Sequence, residues 1–101
     1  GLGYALTEEI KIGPEGQVLN PTFMDYKIFC SDDMPKLTTI LVEAEEPTGP
    51  FGAKSVAEIA INGPAPAISN AIYDAIGVRL HSLPMTPEKV LAALDARGES
   101  V

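Results

Sequence analysis

Glu58 stands among small and apolar residues, with Val56 and Ala57 before it and Ile59 and Ala60 after it. A carboxylate kept from water in such company holds its proton more tightly, unless a cation or a hydrogen-bond donor compensates. Basicity raised toward working pH is what a general base needs. The competing reading is a glutamate that points outward from a short helix, and spacing alone does not separate the two. The other candidate groups offer less. His81 is the only histidine and Cys30 the only cysteine, so neither has a like partner for a metal, and no internal disulfide can form. His81, after the strand-like Val78-Arg79-Leu80, reads as a surface or loop residue. Glu43, Glu45 and Glu46 read as a solvated edge beside a strand end. Asp32 and Asp33 lack the further oxygens of a calcium loop. Gly49, Gly52 and Gly63 are not set in a Gly-Lys-Ser/Thr or GxGxxG pattern, so they make no phosphate loop.

The elements that must position Glu58 are those of one small domain. The chain has 101 residues, a net charge of −7 and a composition that is 46% apolar, enough in principle for a single core. Lys11, Lys27, Lys36, Lys54, Arg79, Lys89 and Arg97 are spread along it without clustering, which argues against a nucleic-acid surface. No apolar run approaches the roughly 18 residues of a membrane span, and no basic stretch followed by an apolar one marks a signal peptide. These features, with a single cysteine, point to a cytoplasmic protein with no membrane partner.

Along the chain, Leu2, Ala5, Leu6 and Ile10 form a helix-like stripe, and Gly13–Gln17 is a turn by composition. "MDYKIFC" reads as a strand, and "KLTTILVEAE" as the clearest strand of all, rich in Thr, Ile and Val. Pro47, Gly49, Pro50 and Gly52 enforce an irregular link, and Ser55 to about Ile61 is a short possible helix. Pro64 or Pro66 then opens a helix with Ile68, Ile72, Ala75 and Ile76 on one face, which Gly77 ends. Thr86 caps a last helix with Pro87 at its first position, Val90, Leu91 and Leu94 on its apolar side, and Gly98 as its stop. The expected fold class is α+β: a few β-strands followed by two C-terminal helices. Gly1-Leu2-Gly3 lies inside an apolar pattern without an initiator methionine, which reads as a piece of a longer polypeptide or a processed subunit.

"GLGYALTEE", "LNPTFMDYKI", "GPFGAKSVAE" and "GPAPAISNAIYDAIGVRLHSLPMTPEKVLAAL" follow one another in an order that resembles the C-terminal end of the molybdenum hydroxylases. This is the xanthine dehydrogenase and aldehyde oxidase family, in its molybdopterin-binding subunit, and the likeness is greatest to the bacterial type. The resemblance covers almost the whole chain and makes residues 1–101 the C-terminal portion of a molybdopterin-binding domain. It implies that Glu58 is the catalytic base and that the backbone at Val56 and Ala57 lies against the cofactor. The expected group is a molybdenum-pterin cofactor, molybdopterin or its cytosine dinucleotide form, whose metal is held by the pterin and not by protein side chains.

The same resemblance implies FAD and [2Fe-2S] clusters on other domains or subunits, which would be partners together with the remainder of the molybdenum subunit. It further implies oxidation of a purine, another N-heterocycle or an aldehyde with water-derived oxygen. Ser55 and Ala57 stand where the family more commonly has glycine. Alanine at the second position adds a Cβ near the cofactor and requires a negative φ. By itself the stretch is expected to bind no cofactor, to turn over no purine and to present an open apolar face. The alternative is a separately encoded or degenerate structural piece without chemistry.

Overall fold

The computed structural model describes residues 1–98. Its elements are α1 (Leu2–Leu6), 3-10 turns at Ser31–Asp33 and Pro50–Gly52, and then α2 (Ile59–Asn62), α3 (Pro64–Ile76) and α4 (Pro87–Ala96). The two later helices lie where the sequence places them, for the expected local reasons. The Thr86 hydroxyl accepts from the Lys89 amide at 3.4 Å and Pro87 occupies the first turn of α4. In that turn the carboxyl of Glu88 is held below its usual range by its own amide and then by the Thr86 hydroxyl. At the end of α3, Gly77 takes the left-handed conformation (φ 67°) and its amide closes on the Tyr73 carbonyl at 2.7 Å. Arg97, just past α4, donates to the carbonyl of Ile76. A Cβ at Gly77 would come within 2.9 Å of that guanidinium, so glycine serves both the turn and the close approach.

Around α1 the chain is stitched by polar groups more than by apolar packing. The Met85 amide donates to the Ala5 carbonyl at 2.7 Å, and Ala5 and Met85 are the buried hydrophobic residues among those described. The Thr7 hydroxyl donates to the Lys27 carbonyl at 2.8 Å, and the Tyr26 hydroxyl to Glu8 Oε2 at 3.0 Å. That carboxylate raises the Tyr26 pKa, chiefly through the hydrogen bond.

The predicted turn at Gly13–Gln17 is present, closed by the Gly13 amide on the Gln17 carbonyl at 2.8 Å. Ile12 and Val18 form an isolated antiparallel bridge beside it. Asn20, only 6% exposed, clamps this loop: its Oδ1 accepts from the Lys11 amide at 2.8 Å and its Nδ2 donates to the Glu9 carbonyl at 2.7 Å. Asn20→Ala is expected to cost about 1–3 kcal/mol locally. The measurement is hydrogen exchange at the Lys11 amide, which should quicken roughly tenfold or more; an unchanged rate would show that the clamp carries no load.

The expected strands are the correction. No strand forms among the described residues. In "MDYKIFC" the first residues belong to a turn in which the Asp25 and Tyr26 amides both reach the Thr22 carbonyl. "KLTTILVEAE" runs without regular structure, and no backbone group from Pro35 to Glu45 is hydrogen-bonded among the described residues. β-propensity reflects packing against cross-strand neighbours more than an intrinsic backbone preference, and here no neighbour is supplied. The shape agrees. The radius of gyration is 18.1 Å, against about 13 Å for a self-contained domain of this length. The accessible surface is 8243 Å², where a compact monomer of this mass exposes about 5,500 Å².

Candidate functional site

Residues Ala53 to Ala57 leave the Pro50–Gly52 turn as irregular chain and deliver Glu58 to the start of α2, where it is the N-cap (φ −84°, ψ −19°). Its carbonyl accepts from the Ile61 amide at 3.0 Å, so the backbone at Glu58 is fixed by the first turn. Gly63 continues the right-handed conformation (φ −77°, ψ −41°) into α3. Pro64, lacking an N–H, marks the break between the two helices. The first turn of the chain packs at this junction: a Cβ on Gly1 would meet the Ala60 carbonyl oxygen at 2.9 Å and Pro64 Cγ at 2.5 Å. The base candidate is thereby braced from behind by α1 and α3.

The side chain itself is exposed, which is the outward-pointing alternative and not the desolvated carboxylate. Its apolar neighbours do not close over it, since Val56 is 70% and Ile59 64% exposed. No hydrogen bond or ion pair engages the Glu58 carboxylate among the described residues. Val56 lines an open groove of about 540 Å³ together with Val42, Glu43, Glu45, Lys54 and Ser55. Ala57 and Glu58 do not line that groove. Ala57 carries no backbone strain: Phe51 (φ 54°) is the non-glycine residue with positive φ among those described, so the φ condition on alanine is met. Across the Pro50–Gly52 turn, the Thr48 hydroxyl and then its amide hold the Glu46 carboxyl below its usual range.

Backbone amides from Lys54 to Glu58 donate to no acceptor among the described residues. An open run of unpaired N–H groups beside a carboxylate fits a large polar group that brings its own acceptors, as a pterin cofactor does. It does not resemble a metal cage. Among the described residues no group of three or more His, Cys, Asp and Glu side chains could hold a metal ion, and His81 and Cys30 are both exposed. No helix of the described residues is long and apolar enough to cross a membrane.

A second feature had no signal in any single motif. Leu6, Ile28, Ile72, Val90, Leu91 and Leu94 line an apolar cleft of about 870 Å³ between α1, the Lys27–Asp33 segment, α3 and α4, away from Glu58. It could be anticipated only from the apolar faces of the two later helices taken together.

Residues 1–35 match the molybdopterin cofactor-binding domain family. The xanthine dehydrogenase molybdenum-binding subunit of Escherichia coli O157:H7 is 42% identical over 99 residues, 97% of this chain and 13% of that protein. The aldehyde oxidoreductase of Megalodesulfovibrio gigas is 40% identical over 97 residues, 95% of this chain and 10% of that protein. In structure, the crystallised Cu,Mo-CO dehydrogenase matches with a TM-score of 0.82 and 29% identity over 96% of this chain and 13% of that one. The chain thus spans little more than a tenth of the length of the curated relatives it matches. With a family domain, curated sequences and a solved structure agreeing in kind, the chain corresponds to a fragment of a molybdenum hydroxylase.

Proposed function

We propose that residues 1–101 form the C-terminal portion of a molybdopterin-binding domain, in an enzyme that hydroxylates a purine, another N-heterocycle or an aldehyde, and that Glu58 is its general base. The observation that carries this reading is the pairing of an unpartnered carboxylate, fixed at its backbone by α2, with the open amides of Lys54 to Glu58. The backbone at Val56 and Ala57 would face the molybdenum-pterin cofactor. When bound, that group supplies the two-electron oxidation. The protein's part is positional and electrostatic. Glu58 takes the proton from a water-derived oxygen as that oxygen attacks an electron-poor carbon of the substrate. Closure by the rest of the subunit would remove water from around the carboxylate. [2Fe-2S] and FAD on other domains or subunits would accept the electrons.

One observation favours the second reading, a structural piece without chemistry: the exposure of Glu58. The test is oxidation of hypoxanthine, nicotinate and aldehydes by the intact enzyme in ¹⁸O-labelled water, with molybdenum measured on the same sample. The expected result is stoichiometric molybdenum and a product that has gained labelled oxygen from the water. An intact subunit without molybdenum, or one that turns over none of these substrates, overturns the catalytic reading in favour of the structural one, and unlabelled product overturns water as the source of the oxygen.

A further inference from the structure

Just before Glu58 the chain crosses an unsupported span. Ala53 to Ala57 is irregular, and its amides from Lys54 onward donate to no acceptor among the described residues. Such a span keeps its place only through its ends. One end is α2, where the Glu58 carbonyl accepts from the Ile61 amide. The other is the loop Glu46–Ala53, which closes on itself. In it the Gly49 amide donates to the Glu46 carbonyl at 3.0 Å, the Gly52 amide to Gly49 at 3.2 Å and the Ala53 amide to Pro50 at 3.0 Å. The Glu46 amide in turn donates to the Gly52 carbonyl at 3.3 Å.

The backbone inside this loop is strained. Phe51 (φ 54°, ψ 26°) and Gly52 (φ 73°) are both left-handed, under the hydrogen bond from Ala53 to Pro50. That is a type I′ turn, whose central positions favour Gly, Asn and Asp. Phenylalanine there brings its Cβ close to the following carbonyl oxygen, and its ring is fully exposed, so no packing within the described residues offsets the cost. Strain of this kind persists only where the surroundings over-determine it, and it gathers at functional sites. The loop is also tight, since a Cβ on Gly49 would come within 2.5 Å of the Ala53 carbonyl oxygen. Glu46, half-buried at the loop's start, supplies the clasp. Its Oε1 accepts from the Thr48 amide at 3.1 Å and from the Thr48 hydroxyl at 2.6 Å, and hydrogen bonds to an ionised acceptor are the stronger kind.

We propose that Glu46 is a positioning residue: by clasping Thr48 it holds the Glu46–Ala53 loop in its strained form, and so fixes the direction from which Ala53–Ala57 delivers Glu58. It acts through the loop and touches no reacting atom. The role rests on the reading of Glu58 as the base, and it matters because misplacing a reacting group by about 1 Å can slow a reaction about a hundredfold.

The test compares Glu46→Ala, Glu46→Gln and the double variant Glu46→Ala/Phe51→Gly in the intact enzyme. Turnover is expressed per molybdenum, and hydrogen exchange is read at the Gly52 and Ala53 amides of the same samples. Glu46→Ala should lower kcat about tenfold or more, leave KM within about threefold, and quicken exchange at both amides about tenfold. Glu46→Gln keeps an acceptor oxygen in the same place and should stay within about threefold of wild type throughout. The double variant should recover both readings, because glycine adopts positive φ without a clasp. Faster exchange with undiminished kcat would overturn the positioning role. So would a fall in kcat without faster exchange, a Gln variant as poor as Ala, or a double variant that recovers nothing. A wild-type enzyme without turnover would sink the base reading instead, and the exchange measurement, which needs neither molybdenum nor turnover, would still decide whether Glu46 holds the loop.

Discussion

Glu58→Gln in the intact enzyme leaves molybdenum content at the wild-type level and lowers turnover by about a hundredfold or more. The two halves of that result have separate physical reasons. Gln keeps the shape and the reach of the side chain while removing the group that accepts a proton. Because Glu58 is exposed and its carboxylate has no partner among the described residues, the exchange breaks no contact that holds α2 in place. Its backbone role, accepting from the Ile61 amide, survives any side chain. The cofactor is expected to meet the backbone of Val56 and Ala57, which the substitution does not alter. Metal analysis and turnover on one sample decide the matter. Full metal with undiminished turnover places the base elsewhere, and lost metal makes Glu58 a structural residue of the cofactor site.

What could be read from the sequence divides along a physical line. Local rules sufficed where a residue and its neighbours decide the conformation. Thr86 and Pro87 start α4, Pro64 starts α3, and Gly77 ends it in the left-handed conformation. The turn at Gly13–Gln17 followed from composition in the same way. Reading failed where the outcome depends on distant partners. "KLTTILVEAE" has strand propensity, but propensity becomes a strand only beside another strand, and none of the described residues supplies one. The same cause lies behind Glu58. Of its two readings the chain by itself takes the outward-facing one, because Val56 and Ile59 remain exposed without an opposing surface. Asn20, next to Pro21, carries only a local turn or strand-entry signal. Its role as a buried two-sided clamp depends on Glu9 and Lys11 returning to it, which no local pattern reveals.

The isolated chain, prepared by itself, is expected to contain no stoichiometric molybdenum and to oxidise neither purines nor aldehydes. The reasoning begins with its surface. With 8243 Å² exposed, against about 5,500 Å² for a compact protein of this mass, much of what should be interior faces water. Ala5 and Met85 are the hydrophobic residues buried among those described, a small core from which to hold a site rigid. A pterin cofactor needs several fixed donors acting together, because each hydrogen bond nets only about 0.5–1.5 kcal/mol. The open amides of Lys54 to Glu58 lie on chain that shares a groove with Val42 to Glu45, itself unpaired. Ordering both stretches around a ligand would cost roughly 1–2 kcal/mol for each residue fixed, so binding energy would be consumed in folding the site. Metal analysis after reconstitution with excess cofactor is the direct measurement. One molybdenum per chain would mean that these residues form a complete binding site, and the closure assigned to the rest of the subunit would fail with it.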